Sequence, residues 1–364
     1  AGDIVKVQAF GAFTLADHYT KAEQDVIDAA QDVVIATKAP QATTYTKTEV
    51  DTEITNRSFG FKNHIINGGM DVWQRGTSFT SNEYTADRWG LYKASGSMTL
   101  TKSDVIPNIL GDSRLRLNTT VVHADAQIYQ KIEDVRTLQG KTATLSFWVH
   151  TIGNFKVEAK HSYGSGGTSQ NIFHSQYTTE VVPSTWSKVE MEIDIPELGE
   201  SDTVGDGSFL QVTLFIGANL GSTYIKNIQL EEGSVATPFE QRPYGLELSL
   251  CQRYLPSFDG GAHGFAGTTT SGTASIPFSV PARVAPTSVF FPTGVAVGYF
   301  SYTTQAVQAP CTTINFTGIS STGTTRCVVL CTVGSAIFAQ NAVPGVPGIL
   351  FGGGTKLLFG GCEL

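Results

Sequence analysis

Charge is scarce in this sequence. Lys, Arg, Asp and Glu make up 15% of its 364 residues, where a soluble domain ordinarily carries about a quarter. The deficit is concentrated: between Gly260 and Thr325 the only charged side chain is Arg283. A lone monomer solvates such a surface poorly, so partner chains are expected to cover much of it. A basic excess is missing too. The net charge of −8 divides into −4 over 1–60, −5 over 61–245 and +1 over 246–364. That balance argues against a nucleic-acid binder, which would want a basic face over the phosphates.

Other absences narrow the field further. The five cysteines, Cys251, Cys311, Cys327, Cys331 and Cys362, are odd in number and make no disulfide framework. Cys327 and Cys331 are spaced C-x3-C, but no nearby His or Cys completes a zinc set, and they read as small buried hydrophobes. No apolar run reaches the ~18 residues of a membrane span. No secretory leader opens the chain, and an Ala at position 1 is consistent with a removed initiator Met, so cytoplasmic synthesis is expected. H-E-x-x-H, G-x-S-x-G and P-loop patterns are all lacking. "FGGGTKLLFGG" near the end lacks phosphate-loop spacing. It looks like the last strand of an antibody light chain, but no Cys…Trp…Cys framework accompanies it; it reads as a Gly bulge between strand halves. No catalytic residue is assigned.

The first sixty residues have a helical period. Thr20 is a candidate N-cap, with Glu23 closing a capping box. Val26, Ala30, Val33 and Thr37 follow as a narrow stripe that Pro40 ends. A second start at Tyr45-Thr46-Lys47-x-Glu49 repeats Tyr19-Thr20-Lys21-x-Glu23. Neither helix would hold alone in water. A coiled coil of two or three strands satisfies both stripes; packing back onto a neighbouring domain is the alternative.

From Ser97 to Gly233 the period changes to two. In "WSKVEMEIDIP" Val189, Met191, Ile193 and Ile195 face one way, and Lys188, Glu190, Glu192 and Asp194 the other. About eight such strands without intervening helices predict an antiparallel β-sandwich, most simply a jelly roll. Leu246, Leu250 and Tyr254 then mark a short joining helix, stopped by Pro256. The expected order is a helical oligomerisation segment over 1–60, a jelly roll over 61–245, a linker helix over 246–257 and a second β-domain over 258–364.

Three stretches together resemble the tail-fibre and receptor-binding proteins of tailed bacteriophages. They are the paired Tyr-Thr-Lys-x-Glu starts, "IINGGMDVWQRGTSFTSNEYTADRWG" at 65–90, and "NIQLEEGSVATPFEQRPYGLELSLCQRYL" at 227–255. The last resembles the closing strand and exit helix of a fibre module similar to carbohydrate-binding jelly rolls. The resemblance covers about 15–256 and implies a homotrimeric virion fibre, synthesised in the host cytoplasm. Its N-terminus would dock to tail or baseplate proteins, and it would adhere to a bacterial surface glycan or receptor. A capsule depolymerase, or a purely structural fibre or head decoration, is the alternative. A glycosidase needs two carboxylates about 5–9.5 Å apart; Glu158, Glu190, Glu192 and Asp194 are placed for that, and for surface ion pairs equally.

Candidate sites follow. Trp73, Arg75, Asp87, Arg88 and Trp89 read as a structural latch where incoming and outgoing strands meet, with the arginines forking onto Asp71, Asp87, Glu231 or Glu240. A sugar subsite is the alternative. Trp148 and His150 alternate away from the core and form a stacking platform for a glycan, with His161, Tyr163, His174, Tyr177 and Trp186 nearby; cover by a loop or another protomer is the alternative. A tip site would use Phe258, Asp259, His263 and Tyr299. No cofactor is required. One structural Ca²⁺ is conceivable on Asp71, Glu231 and Glu232, since jelly-roll glycan modules often hold one there.

Overall fold

A computed structural model describes residues 20–38, 61–103, 116–121, 126–151, 155–168, 171–179, 182, 184–216, 222–259, 261–266, 270–290, 296–299, 307–316, 323–333, 348–350 and 357–364. The chain divides into two compact units, 1–59 and 60–364.

In the first unit, helix α1 spans Lys21–Lys38. Its capping box is closed reciprocally: Glu23 N donates to Thr20 Oγ1 at 3.3 Å, and Thr20 N donates to the Glu23 carboxylate at 2.8 Å. Val26 and Val33 of the apolar stripe are exposed. The second helical start lies outside the described residues.

The second unit opens with eleven strands: β1 (Ser78–Phe79), β2 (Gly90–Tyr92), β3 (Met98–Ser103), β4 (Arg116–Val121), β5 (Gln127–Glu133), β6 (Lys141–His150), β7 (Phe155–Ser162), β8 (Asn171–Thr179), β9 (Ser187–Ile195), β10 (Phe209–Phe215) and β11 (Ser222–Glu232). They form a mainly antiparallel sandwich. The front sheet runs β1-β3-β4-β11-β6-β9 and the back sheet β2-β5-β10-β7-β8. Alternation builds the core between them. Val189, Met191, Ile193 and Ile195 of β9 and Leu145, Phe147 and Val149 of β6 are buried against Val157, Ala159, Leu210, Val212 and Leu214 of the back sheet. Each of these side chains larger than Ala contributes about 1.5–3 kcal/mol by leaving water.

Helix α2 (Tyr244–Gln252) follows. Beyond it come β12 (Ser257–Phe258), β13 (Gly261–Ala266), β14 (Ser271–Pro277), β15 (Ser288–Phe290), β16 (Ala296–Tyr299), β17 (Val307–Phe316), β18 (Arg326–Val333), β19 (Gly348–Leu350) and β20 (Leu357–Gly360). They make a three-stranded sheet, β12-β20-β15, and a six-stranded sheet, β16-β17-β18-β14-β13-β19. The sandwich and the later strands both fall within the unit 60–364.

Side-chain contacts tie the two parts together. The Arg253 guanidinium forks onto Glu133 of β5 at 3.0–3.3 Å, and Tyr254 OH donates to the same carboxylate at 2.8 Å. Residues 363 and 364 are held by side chains of the sandwich. Arg75 donates to Glu363 at 3.0 Å, Arg88 also donates to Glu363, and Tyr84 OH and Lys131 Nζ donate to Leu364 O at 3.1 and 2.9 Å. Arg88 is itself buried, with its guanidinium 3.5 Å from the centre of the Tyr254 ring.

Candidate functional site

Strand pairing fixes what the outward face of the front sheet displays. Lys226 of β11, Trp148 of β6 and Lys188 of β9 stand in one row, and Tyr224 and His150 stand side by side in the next. Trp186, one residue before β9, closes the cluster: its ring lies 5.7 Å from His150, whose other flank meets Tyr224 edge-on at 5.6 Å. The Lys226 ammonium sits 5.1 Å from the Trp186 ring centre, within cation–π range. Trp148, His150, Trp186 and Tyr224 are all half-buried, so each ring keeps an accessible portion. Away from the aromatic end the rows turn acidic: Ser146 lies between Gln229 and Glu190, and Thr144 between Glu231 and Glu192. Trp148, His150 and Trp186 are thus brought together, and the structure adds Tyr224, Lys226 and Lys188.

The other residues expected on this platform lie elsewhere. His161 on β7 of the back sheet and Tyr163 just past its end are buried, packed ring edge to face at 4.9 Å. Tyr163 OH donates to Asp202 at 2.8 Å. Burial and that bond push its pKa up to about 12, and burial lowers that of His161. These are interior groups because inward alternation through Val157 and Ala159 continues to 161 and 163. His174 and Tyr177 fall on β8, at the edge of the back sheet, with His174 at the register shift opposite Ala159 and Lys160. Their side chains lie outside the described residues.

The latch residues form a buried polar junction. Trp89 is fully buried, its Nε1 donating to Asn67 O at 3.0 Å; Trp73 packs on the core and stacks on Phe79 at 6.2 Å. Asn67, at φ 57°, ties its side chain to Val72 and to Asp87 O at 2.9–3.0 Å. Asn63 bridges to the outgoing strand through Ile228 O and Leu230 N, both at 3.0 Å. Gly68 is needed there, since a Cβ would sit 2.1 Å from Ile228 O. Arg242 donates to Ile65 O at 3.1 Å and faces Glu247, which accepts from Asn67 N. Asp87 accepts from Gln74 N at 2.9 Å and from its side chain; burial pushes its pKa up to about 6 against the opposing pull of Arg75.

The partners expected for Arg75 and Arg88 are corrected. Both meet Glu363, which lies 288 and 275 residues later in the chain, rather than Asp71, Asp87, Glu231 or Glu240. The carboxylates considered for Ca²⁺ do not converge. Glu231 accepts from Thr237 N at 2.8 Å, Thr237 Oγ1 at 2.6 Å and Gln229 Nε2 at 2.8 Å. Glu232 pairs with Lys141 at 2.6 Å, and Asp71 accepts from Gln241 at 3.4 Å. Each is held by its own neighbour, and no metal-ligand cluster occurs among the described residues. The residues present do not fit the ion.

The tip residues are spread out. Phe258 is half-buried on β12 and Asp259 is exposed beside it. His263 on β13 and Tyr299 on β16 belong to the other sheet, and their side chains lie outside the described residues.

No family model matches the sequence, and no curated protein matches it. Partial likenesses to solved structures exist. One is the enzymatically active domain of tailspike protein 4 from bacteriophage CBA120, with TM-score 0.33, 16% identity, and coverage of 47% of this chain and 22% of that one. A protein from Bacteroides thetaiotaomicron assigned as sugar-binding has TM-score 0.32 and 16% identity, covering 47% of this chain and all of its own. A CBM22 xylan-binding domain from Paenibacillus barcinonensis has TM-score 0.30 and 14% identity, covering 44% of this chain and 94% of its own.

Proposed function

We propose that this chain is a non-catalytic, glycan-binding fibre protein of a phage virion that attaches to the bacterial surface. The observation that carries this reading is the aromatic end of the front sheet. Four half-buried rings, Trp148, His150, Trp186 and Tyr224, gather on one outward face beside lysine and hydroxyl side chains. Sugars present an apolar C–H face and a rim of hydroxyls, and an indole bordered by hydrogen-bonding groups complements both. The virion setting rests on the resemblance of 15–256 to phage fibre proteins. The exposed Val26 and Val33 of α1 support a coiled-coil trimer. In a trimer, single sites of about millimolar strength gain 10²–10⁴ in avidity when they engage together.

A glycan array with the intact protein, the Trp148→Ala variant and the Trp186→Ala variant tests this. Wild type is expected to retain at least one bacterial surface glycan, with each variant weakened tenfold or more. Undiminished binding by both variants removes the front-sheet site. Shortening of the retained glycan during incubation would instead establish a depolymerase.

A further inference from the structure

Resting on that reading, we infer that the front-sheet platform selects a carboxylate-bearing sugar, such as a uronic or sialic acid unit, over its neutral counterpart. The argument is one of register. Trp148 has a lysine on either side in the same row, Lys226 on β11 and Lys188 on β9. Directly opposite residues on adjacent strands stand about 5 Å apart at Cβ, roughly the width of one pyranose ring. A ring stacked on the Trp148 indole therefore holds its exocyclic carboxylate over one ammonium or the other, whichever way it is turned. Lys226 is 6% exposed and is steered by the Trp186 ring, so it is pre-placed and loses little side-chain freedom on binding. Lys188 is exposed and swings between Glu190 and an arriving anion.

The same face sets the direction of the bound chain. Along β6 beyond Ser146 the neighbours are Glu190, Glu192 and Glu231. A polyanion lying along the strand toward them meets like charge. The acidic unit sits at Trp148, and the rest of the chain leaves past His150, Trp186 and Tyr224.

The test is titration calorimetry on the full chain with uronic- and sialic-acid oligosaccharides, each beside its carboxyl-reduced form. At least one acidic member is expected to bind tenfold or more tightly than its reduced partner, with the ratio shrinking as salt rises. Lys188→Glu, an exposed change, should cut the ratio of acidic to reduced sugar affinity several-fold. Lys226→Gln should do the same, its fold verified by an unshifted melting curve. Equal affinity within every pair overturns the acid preference while glycan binding stands, and a ratio unchanged in both lysine variants overturns its assignment to this platform. Binding of no member overturns both. Tighter binding of a phosphorylated oligosaccharide than of any carboxylated one also overturns the assignment.

Discussion

Asp87 shows how one residue sets the junction's response to pH. Its carboxyl is buried and its folded pKa, about 6, lies above the ordinary 3.8. For an acid raised in this way the folded state favours the neutral form. The stabilising contribution is complete below pH 3.8 and is lost as pH rises through about 6. The loss is about 3 kcal/mol at most. Asp87→Asn should flatten the stability–pH curve between pH 4 and 6.5 in urea titrations, because the amide cannot ionise and the side-chain oxygen of Gln74, which has no partner, can accept from it. A slope unchanged by the substitution would show that other groups set it. Two glycan candidates, His161 and Tyr163, were in principle legible as interior: the inward parity of Val157 and Ala159, counted on in steps of two, reaches both. Residue type pulled the sequence reading outward where alternation pointed in. Tyr224 and Lys226 carried a signal as well, since they flank the inward Ile225. Their strand is broken by a bulge at Asn227, with φ 56°, which conceals the outward row from simple period counting.

Among the elements, strands of the sandwich were the most legible, because a two-residue period over seven to eleven residues admits one pairing face. Helix α1 was equally open, its capping box being spelled within four residues. The C-terminal clamp was not. Arg75 and Arg88 are visible in sequence as two forks without partners, and nothing local points to Glu363 across a separation of 288 residues. The clamp has a measurable worth. Arg88 is 1% exposed and the Glu363 side chain 9%, so removing the carboxylate strands a buried cation. Glu363→Ala should cost about 3–5 kcal/mol. Glu363→Gln, which keeps an acceptor, should cost less. Urea midpoints of the three proteins measure this; a loss below about 1 kcal/mol for the alanine variant would mean that Lys131 and Tyr84 hold Leu364 without it.

At the scale of the whole molecule, the sandwich and the later strands share the unit 60–364, joined through α2, Glu133 and the clamp. Their melting should therefore be a single cooperative event by calorimetry, with tryptophan fluorescence, which reports on the sandwich, coinciding with it. Two resolved transitions would show that the clamp is too weak to couple them. If the chain is a trimer as proposed, sedimentation at micromolar concentration should give three chains per particle. A stable monomer would defeat the avidity argument and with it the fibre reading.

The position of the clamp also bears on how the protein is made. Ribosomes release Arg88 275 residues ahead of the acid that neutralises it. A nascent sandwich must therefore wait, its guanidinium uncompensated, until Glu363 has been added. Chains cut short by a premature stop would lack that closing ion and should be the ones a cell's proteases remove first.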